Sequence, residues 1–187
     1  MLSRESEIIL KAVIEARRLN DFPDDIFIKR ITEILSELDE IPVKIYCENP
    51  EYSVPQYAHE GEDACMDLRA QWIERKVDRI ICHTGVYVEL PPFHQLNIYP
   101  RSGLTKTDWY IANTPGIGDS GYRGEILVVF RPIHGMDRET FPYKEGERVA
   151  QCQVVYAPNV KWQIVKSIND LTPSKRGIGG YGSTGKQ

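Results

Sequence analysis

A mainly β fold, a jelly-roll-like barrel preceded by an α-helical hairpin, is what this sequence predicts, and three observations carry that prediction. Residues 1–40 hold no glycine and a single proline, Pro23, and are rich in Glu, Lys, Arg, Ile, Leu and Ala. From Ile41 the texture changes to short runs of Val, Ile, Tyr and Phe divided by Gly, Pro, Asn and Asp. Many short strands at close, turn-bounded spacing favour a compact β barrel or jelly roll over a βαβ sheet.

The elements follow in order. Ile9, Val13, Ala16 and Leu19 recur at helical spacing, and Phe27, Ile31, Ile34, Leu35 and Leu38 form a second apolar stripe. Between them Asn20-Asp21-Phe22-Pro23 breaks the pattern, with Asp21 able to cap and Pro23 able to start the second helix. Strands are expected at Val43–Tyr46, Ile80–Cys82, Val86–Leu90, Gln95–Tyr99, Ile126–Phe130, Val149–Val155 and Trp162–Lys166. The chain therefore divides into a hairpin extension, residues 1–40, and a β domain, residues 41–187, ending in a mobile glycine-rich tail from about residue 173. Two apolar stripes in so short a hairpin cannot form a sizeable core alone. They pack on the chain's own barrel or dock a protein partner.

At 187 residues with 41% hydrophobic content, the chain can bury a core. A net charge of −4 gives no global attraction to nucleic acid or anionic membrane, so any phosphate ligand must be met by locally placed groups. Cys47, Cys65, Cys82 and Cys152 lack zinc-ligand spacing and read as reduced thiols. The sequence shows no secretory leader and no apolar run long enough to span a bilayer, which points to a cytoplasmic protein.

The C-terminal string "RGIGGYGSTGKQ" contains G-x-x-x-x-G-K, the start of a P-loop. A P-loop needs a helix after the lysine and a hydroxyl for magnesium. Here only Gln187 follows Lys186, so that reading fails.

Five islands could carry chemistry. "EDACMDLRA" places Asp67 before a strand residue, Leu68, where it could hold magnesium through water. "PRSG" sets the Arg101 guanidinium, the Ser102 hydroxyl and the Gly103 amide side by side, an oxyanion-binding turn or an ordinary surface turn. "PGIGDSGYRG", Pro115 to Gly124, reads as a tight hairpin carrying the Asp119 carboxylate and the Tyr122 ring. "EGERVAQCQV" puts Arg148 and Gln151 at a strand start, Arg148 reading as an exposed edge residue. The tail adds a cation, an aromatic ring, two hydroxyls and many unencumbered amides.

In order and wording, these islands resemble the five motifs of the homotrimeric dUTP pyrophosphatase (dUTPase) family, over Ile41 to Gln187. The resemblance implies a jelly-roll-like subunit of the β-clip type in a homotrimer. Each active site would be assembled from three chains, and Mg²⁺ would be carried mainly on the triphosphate of dUTP. It implies that Asp67 is the first-motif aspartate of the metal's water shell, and that Arg101, Ser102 and Gly103 face phosphate with Gln151. Asp119 would orient and deprotonate the attacking water, Tyr122 would pack under deoxyribose, and Asn113 and Gly116 would meet the uracil. Arg176, Gly182, Ser183 and Thr184 would bind phosphate, and Tyr181 would cover the base. The reaction implied is dUTP plus water giving dUMP and pyrophosphate, which supplies dUMP and keeps uracil out of DNA.

Several residues depart from the family pattern. Cys65 and Met66 replace a small residue and an aromatic before Asp67, and Gly118 replaces Ile before Asp119, loosening the backbone that sets the carboxylate. The stretch Ala70 to Thr84 is short and lacks a Pro-Gly turn. Two rivals remain at this stage: a dCTP deaminase or bifunctional deaminase-dUTPase of the same fold, and a dUTPase-like regulatory binding module.

Overall fold

The computed structural model describes residues 41–135, 137–175, 177 and 178, together with Ile8, Lys11, Val13 and Glu15, which are helical. The proposed hairpin of residues 1–40 otherwise lies outside the described residues, as do Arg176 and Tyr181 to Thr184. Residues up to Ala157 form one compact unit and those from Pro158 a second.

The first unit is mainly β. Its described strands are β1 (Lys44–Cys47), β2 (Met66–Arg69), β3 (Trp72–Arg75), β4 (Ile80–His83), β5 (Val86–Glu89), β6 (His94–Tyr99), β7 (Trp109–Ile111), β8 (Gly116–Asp119), β9 (Leu127–Pro132) and β10 (Arg148–Tyr156), and a short helix, α1 (Pro50–Ser53), follows β1. Three antiparallel sheets result: β1-β5, β2-β10-β6-β8 and β3-β4-β9-β7. Alternation along the strands builds the core. Leu96 and Ile98 of β6, Ile80 and Cys82 of β4, Val86 and Val88 of β5, and Val128 and Phe130 of β9 turn inward, while their neighbours along each strand are more exposed. Phe130 meets Phe141 edge-on at 5.2 Å between centroids and Tyr143 at 5.6 Å, and Trp109 closes the cluster against Phe141 at 5.1 Å.

Several expectations change. Leu68, expected in a strand, lies in β2, whereas β3, β7 and β8 were not among the expected strands. β8 occupies part of what reads as a hairpin turn and pairs with β6, while β9 lies in the other four-stranded sheet, so the residues between Asp119 and Leu127 cross from one sheet to the other and close no hairpin. Two glycines make the pairing with β6 possible. A Cβ at Gly116 would stand 3.3 Å from Ile98 Cβ, so glycine lets β8 approach β6 closely. Gly118 is paired with Leu96 and packed beside it, so it does not loosen the backbone before Asp119. The short Ala70–Thr84 stretch forms the β3–β4 hairpin, closed by the Lys76 amide donating to the Arg79 carbonyl at 2.9 Å.

In the second unit, Trp162–Lys166 is not a strand. The alternation is present, but a strand needs a neighbour to hydrogen-bond, and Trp162 and Ile164 are 83% and 94% exposed. Ser167 and Asp170 form a reciprocal capping box around a single 3-10 turn, Ile168–Asp170.

All four thiols are free. Burial pushes the thiols of Cys82 and Cys152 up to about 12, so neither is a nucleophile at neutral pH. Among the described residues no helix is long and apolar enough to cross a membrane.

Phe130 is fully buried among aromatic partners, so Phe130→Ala is expected to cost about 3–5 kcal/mol in urea unfolding at fixed protein concentration. A loss below about 1 kcal/mol would show that this cluster is not the core.

Candidate active site

Asp67 and the residues around it come from three strands. β10 pairs with β2 so that Gln151 faces Asp67, and with β6 so that Gln151 also faces Tyr99. A bulge between Arg148 and Ala150 interrupts the β2–β10 ladder. Val149 and Ala150 are consequently both fully buried, and Arg148 is thrown to the face that carries Asp67 and Gln151.

Both Asp67 oxygens are engaged. Arg101 Nε donates to Oδ1 at 2.8 Å, and Arg148 Nη1 donates to Oδ2 at 3.0 Å. Arg101 Nη1 also reaches the Arg148 carbonyl at 3.4 Å. One carboxylate therefore bridges two cations, and Asp67, Arg148 and Arg69 line a recess of about 120 Å³. Without Asp67 these guanidiniums would repel one another. With it, the corner keeps a net positive charge suited to an anion.

The Arg101 turn is built for exposure. Leu104 is buried and anchors a 3-10 turn, Ser102–Lys106, with its amide donating to the Arg101 carbonyl at 3.0 Å. Ser102 and Gly103 are exposed at its start, and nothing lies within 4 Å of where a Gly103 Cβ would be. Gln151, expected to meet phosphate, donates from Nε2 to the Pro100 carbonyl at 3.0 Å and so holds this turn to β10.

Asp119 is exposed at the end of β8, opposite Gln95 of β6. Tyr122 follows in the loop, half exposed, with its hydroxyl donating to the Glu125 carbonyl at 3.0 Å. Asn113 is exposed in the β7–β8 connection and Gly116 is buried at the start of β8. The structure thus gathers Asp67, Arg101, Ser102, Gly103 and Gln151 at one end of β6, and Asp119 and Tyr122 at the other. From the Asp119 partner Gln95 to Arg101 is six residues of extended chain, roughly 20 Å at the rise of a strand.

Arg148 is the site residue that sequence reasoning undervalued as an exposed edge. The signal available was its place three residues before Gln151, which a bulge brings onto the same face. As for magnesium, no group of three His, Cys, Asp or Glu side chains suited to a metal occurs among the described residues. With both Asp67 oxygens on guanidiniums, the described residues offer no cage, and Asp67 fits an ion carried by a phosphate ligand and reached through water.

Asp67→Asn removes the charge that Arg101 and Arg148 share and is expected to destabilise the protein by about 1–3 kcal/mol in urea unfolding. Arg148→Ala, at a half-exposed side chain, should cost less than about 1 kcal/mol. The reverse ranking would place the cluster's anchor on Arg148.

Comparison with known proteins places these features in a family. The family model described as dUTPase matches residues 52–185, a span containing every candidate residue from Asp67 to Thr184. The chain is 41% identical over 148 residues to the deoxyuridine 5'-triphosphate nucleotidohydrolase of Alkaliphilus metalliredigens, covering 76% of this chain and 96% of that protein. It is 39% identical over 154 residues to the enzyme of the same name from Clostridium tetani, covering 80% of this chain and all of that protein. In fold it is similar to a mutant dUTPase of Staphylococcus bacteriophage 80alpha with dUpNHpp, at a TM-score of 0.63 and 20% identity, over 78% of this chain and 99% of that one. The chain belongs to the dUTPase family.

Proposed function

We propose that this protein hydrolyses dUTP to dUMP and pyrophosphate. The observation that carries the reading is the family match over residues 52–185, which takes in the Asp67 cluster and the Asp119–Tyr122 loop together. In the mechanism, the triphosphate lies on the cationic corner, where Arg101 and the exposed Ser102 and Gly103 meet its oxygens. Arg148 completes the field, while Gln151 and Asp67 hold these groups in place. Asp119 accepts a proton from a water aimed at the α-phosphorus. The new P–O bond forms as the bond to the bridging oxygen breaks, and pyrophosphate leaves. Tyr122 packs under the deoxyribose, and Asn113 with the backbone at Gly116 meets the uracil, whose donor and acceptor pattern differs from that of cytosine. Mg²⁺ on the triphosphate would neutralise its charge, with Asp67 reached through water. Arg176, Tyr181, Gly182, Ser183 and Thr184 would close over the nucleotide.

The separation along β6 supports a shared site. A general base must lie within hydrogen-bond reach of its water. Roughly 20 Å of strand is too far for Asp119 to serve a nucleotide held by Arg101 of the same chain. A homotrimer in which one copy supplies the phosphate corner and another supplies Asp119 and Tyr122 removes the mismatch. Residues 41–187 then carry the activity in the cytoplasm, and residues 1–40 are an addition that packs on its own barrel or docks a protein partner.

Pyrophosphate release from dUTP, dCTP, dTTP and UTP, with and without Mg²⁺, tests this reading. Turnover should be confined to dUTP and depend on Mg²⁺. Ammonia release from dCTP, or an absence of any turnover, would overturn it. Asp119→Asn should keep dUTP binding and lose about 10²–10⁴-fold in kcat, because an amide does not accept the proton. Near-normal turnover would refute the base assignment.

A further inference from the structure

Glu125 stands three residues after Tyr122 and uses every acceptor it has. Its main-chain carbonyl takes the Tyr122 hydroxyl at 3.0 Å. Its carboxylate turns inward, where Oε1 accepts from the Gly85 amide and Oε2 accepts from His83 Nδ1, both at 2.8 Å. A carboxylate has no proton to give, so Nδ1 is the donor. One residue therefore ties the Tyr122 ring to the β4–β5 corner.

His83 is held on its other sides as well. Trp72 of β3 stacks on it at 3.5 Å between centroids and 9° between planes. Glu74, whose Oε1 pairs with Lys76, has its Oε2 3.9 Å from Nε2. Nε2 is buried and has no hydrogen-bond partner among the described residues, which leaves Nδ1 to Glu125 as the ring's one directional bond. An apolar residue would fill this place without that unpaired nitrogen. What the histidine adds is its grip on Glu125.

The two functional groups of the loop are secured differently. Asp119 is in β8 and is fixed by pairing with Gln95. Tyr122 lies beyond the ladder, and its ring crosses Gly124, where a Cβ would stand 2.3 Å from the hydroxyl oxygen. Beyond Glu125 the chain is stitched down again, with Thr84 Oγ1 donating to the Ile126 carbonyl at 2.6 Å and the Ile126 amide to the Val86 carbonyl at 2.8 Å. Losing the His83–Glu125 bond would leave Glu125 held only by the Gly85 amide and by its neighbour Ile126, which loosens the carbonyl that holds Tyr122 while leaving the base in place.

We propose that His83 and Glu125 are positioning residues that lock Tyr122 and thereby set the discrimination between deoxyribonucleotide and ribonucleotide. The proposal rests on the dUTP-hydrolysing reading and on Tyr122 meeting the sugar. Its test is kcat and KM for dUTP and UTP in the full-length protein, in His83→Ala, His83→Asn, Tyr122→Phe and the double variant His83→Ala/Tyr122→Phe, each checked for folding by thermal melting. His83→Ala should raise KM for dUTP and lower the dUTP-to-UTP ratio of kcat/KM, each about tenfold, with kcat for dUTP within about twofold. Asparagine places an N–H where Nδ1–H stands, so His83→Asn should keep the selectivity of the unaltered protein. The double variant should lose no more than the worse single variant, because both act on one ring. Unchanged selectivity in His83→Ala, equal loss in His83→Asn, or additive losses would overturn the clamp. If His83→Ala does not fold, Glu125→Ala takes its place, since it removes both side-chain acceptors. It should show the same loss, and unchanged selectivity would overturn the clamp. An unaltered protein that does not hydrolyse dUTP refutes the proposed function itself, whereas normal hydrolysis with unaltered selectivity in the variants refutes the clamp alone.

Discussion

The pairing of β6 on both of its edges is the constraint on which the rest of the structure depends. β10 bonds along one side and β8 along the other, and the inward residues Leu96 and Ile98 bind the strand into the core. Every functional group then inherits its place from a position on β6. Gln151 sits opposite Tyr99 and holds the Pro100 carbonyl, which aims Arg101, while Asp119 sits opposite Gln95. A rigid ruler of strand thus separates the cations that would hold a triphosphate from the carboxylate that would activate water. This separation, read with the family to which the chain belongs, makes assembly of several copies part of the proposed catalysis.

Each end of the ruler is secured by a carboxylate that does no bond-making itself. At one end Asp67 holds Arg101 and Arg148 together against their mutual repulsion. At the other, Glu125 ties the loop after β8 to Gly85 and His83. Both side chains are largely buried, where charge-assisted bonds are strong and an unpaired partner is costly. The groups left exposed, Ser102, Gly103, Asp119 and Tyr122, are those proposed to meet the nucleotide or the water.

The strands legible in the sequence were β1, β4, β5, β6, β9 and β10. In the two four-stranded sheets, the strands that escaped notice lie at an edge, β8 in one and β3 and β7 in the other, and β2, foreseen only at Leu68, is an edge strand as well. The reason is physical. Central strands bury one face against the core and repeat Val and Ile with period two, whereas edge strands carry charge or glycine, as in Trp72-Ile73-Glu74-Arg75 and Gly116-Ile117-Gly118-Asp119, or, as in Trp109-Tyr110-Ile111, are only three residues long. Trp162–Lys166 shows the converse, since it has the alternation and no neighbour. For the site, the motif residues were legible because their types are demanded by phosphate and proton chemistry. Arg148 was not, because only the bulge in β10 makes it face Asp67. His83 and Glu125 were also hidden, because 42 residues separate them and nothing local signals their bond.

The account's central claim is that the phosphate corner and the Asp119–Tyr122 loop acting on one nucleotide belong to different copies of the chain. Mixing two inactive variants, Asp119→Asn and Arg101→Ala, under conditions that exchange subunits, and measuring pyrophosphate release from dUTP, tests it most directly. Mixed assemblies contain sites with an intact Arg101 from one chain and an intact Asp119 from another, so turnover should return. A mixture that exchanges subunits yet stays as inactive as its components would contradict the account.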